Sequence, residues 1–407
     1  MVEPFIEVVA MFASRSDSNN GKARRPLEGL RIVDFTRVLA GPYCTALLAD
    51  LGAEVIKVES PDGDDYRRIG PFRNGESLLF QTVNRGKRSI VLDLKSREDL
   101  AVAHELIASA DALIENFRPG VMSKLGLGYE VARAGNPGLV YVSLSGFGAV
   151  GPLRDLPAYD VIVQAMSGLM DLTGEPDGTP TMVGEALGDI AGGLFASLGM
   201  ICALLDRERT GSGRFIDVAL LDSLLSVMPT AACRVLLEGS TPRRSGNKHP
   251  LSAPFGIYAV KSGHVAIAVL NDRLFQLFSE TIGFPELRND PRFLSDALRR
   301  ENEVELSLYI ERWGSEYSAA QAVSILSQAG IPAATIVSAK DAWTGEHIQA
   351  RNLTSVVEHP ELGELRIPEQ PVRFDGSPRG GRRPAPALDA DGEQIRRELA
   401  AQTGKGK

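Results

Sequence analysis

The sequence lacks several features that mark common classes of protein. Its 407 residues include only three cysteines, Cys44, Cys202 and Cys233, which lie far apart and without metal-ligand spacing. They predict free, buried thiols in a reducing compartment. No uninterrupted run of about 18 apolar residues occurs, so no membrane-spanning helix is predicted. The formal net charge is −8, which argues against a non-specific nucleic-acid binder.

Two further signatures are absent. The turn after the first predicted strand reads T-R-V-L-A-G-P and has one glycine, whereas the dinucleotide fingerprint G-x-G-x-x-G needs three, so a nicotinamide cofactor is disfavoured. Residues 1–26 lack the basic start, apolar run and cleavage site of a signal peptide, and we predict a disordered extension there. Together these absences predict a cytoplasmic protein with no metal and no permanently bound cofactor.

What the chain does contain is an alternation of strands and helices. Residues 30–35 and 54–59 have strand patterns, and the segment between them has helical spacing, with Pro42 near its start and Gly52 at its end. Two strands joined by a helix predict a parallel sheet. Such sheets bind ligands at the carboxyl ends of their strands. The predicted fold class is therefore α/β, with a parallel sheet.

Cationic side chains recur near the ends of successive predicted strands. The segment N-R-G-K-R at 84–88 precedes one strand and Lys95 follows it, while N-F-R-P-G at 116–120 follows the next strand and Lys124 lies beyond. Because the carboxyl ends of parallel strands converge, this repetition favours a site for a polyanionic ligand. A solvated charged face explains the same pattern equally well.

One acidic residue stands at the start of the longest apolar segment. Residues 184–193 read G-E-A-L-G-D-I-A-G-G, and residues 190–205 are typical of a buried helix. Asp189 has two interpretations. It caps the helix by accepting backbone N–H groups, or it is a nucleophile whose charge the helix end stabilises while the flanking glycines let a ligand approach. These residues alone leave both interpretations open.

The composition changes near residue 238. Residues 239–254 are polar and predict a loop or linker, and the apolar stretches 255–260 and 264–269 around K-S-G predict an antiparallel hairpin, followed by helices. The predicted organisation is a disordered extension at 1–26, a large domain at 27–222 with a connecting helix to about 238, a smaller α+β domain at 239–330, and a return to the large domain with a C-terminal tail at 331–407.

Several spaced motifs, taken in order, resemble the class III CoA-transferase family, also called the CaiB/BaiF family. They are L-E-G-L-R-I-V-D-F-T-R-V-L-A-G-P, D-L-G-A-E-V-I-K-V-E, N-R-G-K-R-S-I-V-L-D-L-K, I-E-N-F-R-P-G, G-L-G-Y-E, S-G-F-G, P-A-Y-D and L-G-D, spread over residues 27–374. The resemblance implies a Rossmann-like large domain, a smaller domain and an interlocked homodimer. The implied partners are an acyl-CoA and a small carboxylic acid, with coenzyme A as a substrate, no metal, no nucleic acid and no membrane.

The resemblance also assigns roles to matching positions. Asp189 matches the covalent nucleophile of the family. Ser60 stands where some relatives place an arginine against the adenine. The other implied CoA contacts are Leu39 and Ala40 in the first turn, Leu92, Asp93, Leu94 and Lys95 near the ribose and adenine, and Asn116, Phe117, Arg118 and Lys124 near the diphosphate and pantetheine.

The implied reaction is transfer of CoA from an acyl-CoA to a carboxylate, through an aspartyl anhydride and an aspartyl-CoA thioester. N–H groups near Gly188 or in the glycine-rich loop after residue 144 are expected to stabilise oxyanions. A 2-methylacyl-CoA racemase-like enzyme is one alternative, but it needs a histidine where Tyr159 stands, and tyrosine, with a pKa of ~10, is a poor base. A CoA-binding protein without transfer activity is another.

Four residues bear on the substrate. Tyr159 is expected to line the acyl pocket, although a core tyrosine fits its position too. Leu39 replaces the glutamine of formyl and oxalate transferases, which disfavours that substrate pair and leaves succinyl-CoA or another dicarboxylyl-CoA as the expected donor. His249, or its neighbour Lys248, is a candidate for a distal carboxylate, and an ordinary exposed loop is the alternative.

Overall fold

The computed structural model describes residues 24–377 and 383–404, and the chain forms two compact units. The described parts of 1–167, 184–237 and 347–407 make up the first unit, and 168–183 with 238–346 make up the second. Nearly all of the predicted extension at 1–26 and part of the Pro/Arg-rich tail at 378–386 lie outside the described residues.

The strands of the described residues are short, and they are numbered in chain order. They are β1 (Arg31–Asp34), β2 (Glu54–Glu59), β3 (Phe72–Arg73), β4 (Glu76–Ser77), β5 (Arg88–Val91), β6 (Ala112–Glu115), β7 (Val140–Ser145), β8 (Phe215–Ala219), β9 (Phe255–Ala259), β10 (His264–Ala268), β11 (Ala333–Thr335), β12 (Thr354–His359) and β13 (Gly363–Pro368).

The first ten α-helices of the described residues end before residue 233. They are α1 (Ala40–Asp50), α2 (Leu78–Asn84), α3 (Arg97–Ala108), α4 (Val121–Lys124), α5 (Tyr129–Gly135), α6 (Asp160–Met166), α7 (Leu169–Leu172), α8 (Leu187–Thr210), α9 (Leu220–Ser226) and α10 (Pro229–Ala232). Later helices are α11 (Asp272–Thr281), α12 (Asp296–Glu301), α13 (Glu303–Gly314), α14 (Ala319–Gln328), α15 (Ala339–Thr344), α16 (Glu346–Ala350) and α17 (Gly392–Gly404).

A six-stranded parallel sheet in the order β5-β2-β1-β6-β7-β8 is the centre of the first unit. The α/β class with a parallel sheet is thus confirmed. Strands β6 and β7 are buried along their whole length, as expected for a sheet covered on both faces. Their carboxyl ends therefore open onto the same edge, where the predicted ligand site belongs.

Helix α8 is the longest of the described helices, and in the part of the chain that the structure describes it alone is long and apolar enough by itself to span a membrane. Here it packs against α1, β7 and α9 instead. Gly193 makes the approach to α1 possible, because a Cβ there would lie 2.6 Å from the Ala40 carbonyl oxygen. The helix is therefore part of the core that positions the first strand–helix turn.

The connecting helix, which was predicted to run to about residue 238, is broken. Helix α9 ends at Ser226, α10 begins at Pro229, and a π-helical stretch follows at Cys233–Glu238. Proline has no N–H, so Pro229 cannot donate to the Leu225 carbonyl, which explains the break.

In the second unit, β9 and β10 form the predicted antiparallel hairpin. Strand β11 pairs with β10 and completes a three-stranded sheet, so the chain is still part of this unit after Ile331, the point at which its return was expected. A core of its own, including Phe275, Phe278 and Phe293, lies against this sheet.

The expectation that all three thiols are buried is wrong for two of them. Cys44 is buried in α1, whereas Cys202 and Cys233 are exposed. Cys202 shares the exposed side of α8 with Leu198 and Leu205, which are 56% and 57% exposed. The apolar residues around Cys202 in the sequence therefore lie on an exposed surface of α8 in the single chain, and not in its core.

Candidate active site

A cavity of about 450 Å³ opens in the first unit at the carboxyl ends of the central strands. Most of the residues predicted for thioester and pantetheine recognition lie in its wall. They are Leu39, Ala40, Asn116, Phe117, Arg118, Tyr159 and Asp189. The structure thus brings the predicted nucleophile together with residues from three separate loops.

A second cavity of about 260 Å³ adjoins the first, since Arg37 and Phe117 line both. Its wall contains the residues predicted to meet the ribose and adenine, namely Ser60, Leu92, Asp93, Leu94 and Lys95. Lys124, at the end of α4, is not among the lining residues of either cavity. Its contact with CoA stays a prediction.

The turn between β1 and α1 has an unusual backbone. Val38 has φ of +70°, a left-handed conformation that a β-branched residue rarely adopts and that costs ~1–3 kcal/mol. Asn116 holds the preceding residue, because its Oδ1 accepts the Arg37 N–H at 2.9 Å and its Nδ2 donates to the Arg37 carbonyl at 2.8 Å. Helix α1 then starts at Ala40 with no side-chain cap. Its first N–H groups therefore remain available to a ligand.

Asp189 is the third residue of α8, which begins at Leu187 with Ala186 as N-cap and no capping by that residue's side chain. The capping interpretation of Asp189 is therefore wrong. The carboxylate of Asp160 caps the helix instead. Its Oδ1 accepts the backbone N–H of Gly188 at 2.7 Å and that of Asp189 at 3.3 Å. Consequently the Gly188 N–H, expected as an oxyanion donor, is already bound.

Asp160 is itself held in place. Gln164, fully buried one turn later on α6, donates from Nε2 to Asp160 Oδ2 at 2.7 Å and to the Glu185 carbonyl at 3.1 Å. The sequence analysis did not assign a role to either residue, although Asp160 belongs to the P-A-Y-D motif and Gln164 is a polar residue at helical spacing from it. Ala40 and Gly146 are among the residues that line the cavity.

The electrostatics of the cavity disfavour the charged form of Asp189. Burial, and secondly the charge of Asp160, raise the pKa of Asp189 to about 7. Tyr66 lies in the same field, and burial together with the charges of Asp189, Asp64 and Asp160 raises the pKa of its hydroxyl to about 12. A poorly solvated carboxylate of this kind is typical of functional sites.

Glu115 ends β6 immediately before the Asn116–Phe117–Arg118 segment. Its Oε2 accepts the Phe117 N–H at 2.8 Å, which fixes the residue shared by the two cavities. Burial, aided by the nearby charge of Asp217, raises the pKa of Glu115 to about 7. Glu115 is another residue of this region to which the sequence analysis assigned no role.

Tyr159 and His249 have different surroundings. Tyr159 is 70% exposed at the start of α6 and lines the first cavity, so the core-tyrosine alternative is wrong. His249 belongs to the second unit, where its ring stacks on Phe255 at 4.6 Å and its Nδ1 accepts the Leu251 N–H. The neighbouring Lys248 donates to Ser307 Oγ at 3.0 Å. A role for either in substrate recognition stays a prediction.

Among the described residues, no group of three or more histidine, cysteine, aspartate or glutamate side chains is placed to hold a metal ion. The charged groups in the wall of the first cavity are Arg37, Arg118, Arg154, Asp65 and Asp189. Three arginines and a helix N-terminus suit phosphates and carboxylates.

Comparison with known proteins identifies the family. A family model described as CoA-transferase family III matches residues 27–392. This chain belongs to CoA-transferase family III. The enzyme is 42% identical to the acetyl-CoA:oxalate CoA-transferase of Acetobacter aceti, over 96% of this chain and all of that protein. It is 38% identical to the succinyl-CoA:glutarate CoA-transferase of Mus musculus, over 92% of this chain and 86% of that protein.

A solved structure shows the same fold. A CaiB/BaiF family protein from Brucella suis superimposes with a TM-score of 0.82 at 38% identity, covering 92% of this chain and all of that one. The family III CoA-transferase resemblance and the assignment as a CoA-transferase are therefore confirmed.

Proposed function

We propose that this CoA-transferase moves CoA from an acyl-CoA to a short dicarboxylic acid through covalent intermediates on Asp189. The observation that supports it most directly is the position of Asp189, in one cavity with Leu39, Ala40 and Arg118 and beside a second cavity lined by Lys95. A nucleophile next to a long, partly cationic channel suits a thioester of CoA. No histidine lines either cavity, so nothing there favours the racemase-like alternative.

The reaction proceeds in two symmetrical halves. A carboxylate oxygen of Asp189 attacks the thioester carbonyl carbon, the C–S bond breaks, and CoA thiolate leaves a mixed anhydride behind. The thiolate then attacks the aspartyl carbonyl, which releases the donor acid and forms the aspartyl-CoA thioester. The acceptor carboxylate attacks that thioester, and the freed thiolate attacks the acyl carbon of the new anhydride to regenerate Asp189. Covalent catalysis divides one difficult exchange into easier steps.

Each step passes through a tetrahedral oxyanion that needs N–H donors. We assign this role to the backbone at Ala40 and Gly146, which line the cavity while Gly188 is held by Asp160. Asp160 acts as a positioning residue, because it fixes the first turn of α8 and so the direction of Asp189. Losing one oxyanion donor typically lowers a rate by ~10²–10³-fold.

The acceptor class follows from the relatives. Their names include oxalate, glutarate, mesaconate and D-citramalate, all dicarboxylic acids. Arg154, which lines the cavity and whose side chain pairs with Asp155, is a candidate partner for the distal carboxylate, alongside His249. Oxalate thus remains a candidate acceptor despite Leu39, and acetyl-CoA and succinyl-CoA are the donors to test first.

The assembly we propose is an interlocked homodimer in the cytoplasm. It is supported by the apolar surface that the single chain leaves exposed on α8, where Leu194, Leu198 and Leu205 are each about half exposed. Contiguous exposed apolar surface commonly marks a protein interface.

The test is direct trapping of the intermediate. The enzyme is incubated with acetyl-CoA or succinyl-CoA, treated with hydroxylamine, and digested for mass analysis. We expect a hydroxamate on Asp189, and Asp189→Ala should bind CoA but form no adduct and give no turnover. An active Asp189→Ala enzyme, or an adduct on another residue, would refute the assignment.

A further inference from the structure

The turn that carries Leu39 and Ala40 rests on buried charges. We propose that Lys57 and Asp64 are positioning residues that hold Val38 in its left-handed conformation and thereby present Leu39 and Ala40 to CoA. The inference rests on the proposed function, because it takes this turn to be part of the CoA site. Nothing in the family motifs quoted above assigns a role to this ion pair.

The contacts of the pair lie on both sides of the unusual residue. Lys57 Nζ donates to the Thr36 carbonyl at 2.8 Å and lies 2.7 Å from Asp64 Oδ2. Asp64 Oδ1 accepts the Val38 N–H at 3.1 Å and the Tyr66 N–H at 2.9 Å. One ion pair therefore fixes the carbonyl before the turn and the N–H within it.

A second ion pair supports the first. Asp34 accepts the Thr36 N–H at 2.8 Å and the Lys87 Nζ at 2.9 Å, and Lys87 also donates to the Pro42 carbonyl at 3.1 Å. Lys57, Asp64, Asp34 and Lys87 are each no more than 1% exposed, and their charges cancel. The turn is thus held by buried charges. Lys57 and Asp64 also line the second cavity, whereas Val38, Leu39 and Ala40 line the first.

Stability alone does not explain this arrangement. Well-packed apolar residues can often replace a buried ion pair with no loss of stability. The Lys57 and Asp64 side chains are needed to keep the Val38 backbone at positive φ. A β-branched residue favours negative φ unless its N–H is held by a hydrogen bond. Without the Asp64 acceptor we expect Val38 to leave the left-handed region and the Leu39–Ala40 backbone to move with it.

The first experiment replaces the pair by apolar residues of similar size, as Lys57→Met with Asp64→Leu. We expect a folded protein whose dissociation constant for CoA, measured by calorimetry, and whose KM for acetyl-CoA both rise about tenfold, while kcat changes less. Lys57→Met with Asp64→Asn keeps an oxygen that can accept the Val38 N–H, so its loss of affinity should be about threefold.

The second experiment adds Val38→Gly to each double variant. Glycine adopts positive φ about as readily as negative φ, so the turn no longer needs to be held. The tenfold loss of CoA affinity should therefore shrink to about twofold, measured against Val38→Gly in the otherwise wild-type protein. A general loss of stability would not be corrected by a glycine in this turn.

A matched control uses a largely buried ion pair of the same unit, Arg207 and Asp111, whose Nη2 and Oδ1 atoms lie 2.9 Å apart and which lines neither of the two cavities. Arg207→Met with Asp111→Leu should leave CoA affinity within twofold. Unchanged CoA affinity in Lys57→Met/Asp64→Leu, or a penalty that Val38→Gly leaves intact, overturns the inference. If Lys57→Met/Asp64→Leu is insoluble, the same comparison is made with Lys57→Met/Asp64→Asn, with and without Val38→Gly. The inference is then overturned if that variant keeps wild-type CoA affinity, or if Val38→Gly does not restore the lost affinity. A wild-type enzyme that neither binds CoA nor exchanges it refutes the proposed function instead.

Discussion

The Asp160 carboxylate accepts the backbone N–H of Gly188 at 2.7 Å, so that one acidic side chain holds the helix start from which another, Asp189, enters the cavity. The same proximity has an electrostatic effect, since the charge of Asp160 contributes to the raised pKa of Asp189. The position of Asp189 and its pKa therefore both depend on one neighbour, Asp160.

The first prediction separates those two effects. Asp160→Asn keeps an oxygen for the Gly188 N–H but removes the charge, so the pKa of Asp189 should fall from about 7. The acid limb of kcat/KM against pH should then move to lower pH, because kcat/KM reports the free enzyme. Asp160→Ala should lose the contact as well and reduce kcat/KM by ~10²-fold. The exposed Asp177→Asn serves as control, and an unmoved acid limb in Asp160→Asn would contradict the electrostatic link.

The second prediction concerns the contact between α8 and α1. In Gly193→Ala the new Cβ would meet the Ala40 carbonyl oxygen at 2.6 Å, and backbone cannot yield as a flexible side chain does. We expect destabilisation of ~1–3 kcal/mol and a lower kcat, both measured on purified protein by thermal unfolding and steady-state kinetics. Gly135→Ala, at a helical position with nothing within 4 Å of the added Cβ, is the matched control. Equal behaviour of the two variants would rule out the close contact.

The third prediction concerns the cationic wall. Arg118 lines the first cavity, and its removal should leave a phosphate or pantetheine contact unmade. Arg118→Ala is expected to raise the dissociation constant of CoA about tenfold and to reduce its dependence on salt. Arg133→Ala provides the comparison, because Arg133 stacks on Tyr129 and lines neither of the two cavities. The dissociation constant of CoA is measured by calorimetry at two salt concentrations. Identical CoA affinities for Arg118→Ala and Arg133→Ala would show that Arg118 does not contact CoA.

The fourth prediction concerns stability against pH. Glu115 has a folded-state pKa of about 7, above its ordinary value of 4.5, so the folded protein binds the extra proton between these values. Stability from this group therefore falls as pH rises from about 4.5 to 7 and stays low above it. Glu115→Gln should raise Tm relative to wild type more at pH 8 than at pH 5. The exposed Glu130→Gln should show no such difference; a Tm gap that is constant with pH would contradict the assignment.

The sequence by itself determined the class of fold and the family, and the family resemblance implied Asp189 as the candidate nucleophile. Alternation of strand and helix patterns predicts the parallel sheet, because local periodicity reports which faces are buried. The ordered motifs indicated the family, and with it Asp189, Leu39 and Arg118 as parts of one site. The strand and helix patterns and the motifs can be recognised from the sequence because each one consists of residues that are close together in the chain.

Tertiary structure alone decided how the proposed nucleophile, Asp189, is held. Asp160 lies 28 residues from the N–H that it binds, and Asp64 lies 26 residues from Val38. Capping of α8 by a distant carboxylate, the left-handed Val38 and the pKa of Asp189 all depend on side chains that folding brings together. No local pattern encodes them, because hydrogen bonding and burial are properties of neighbours in space.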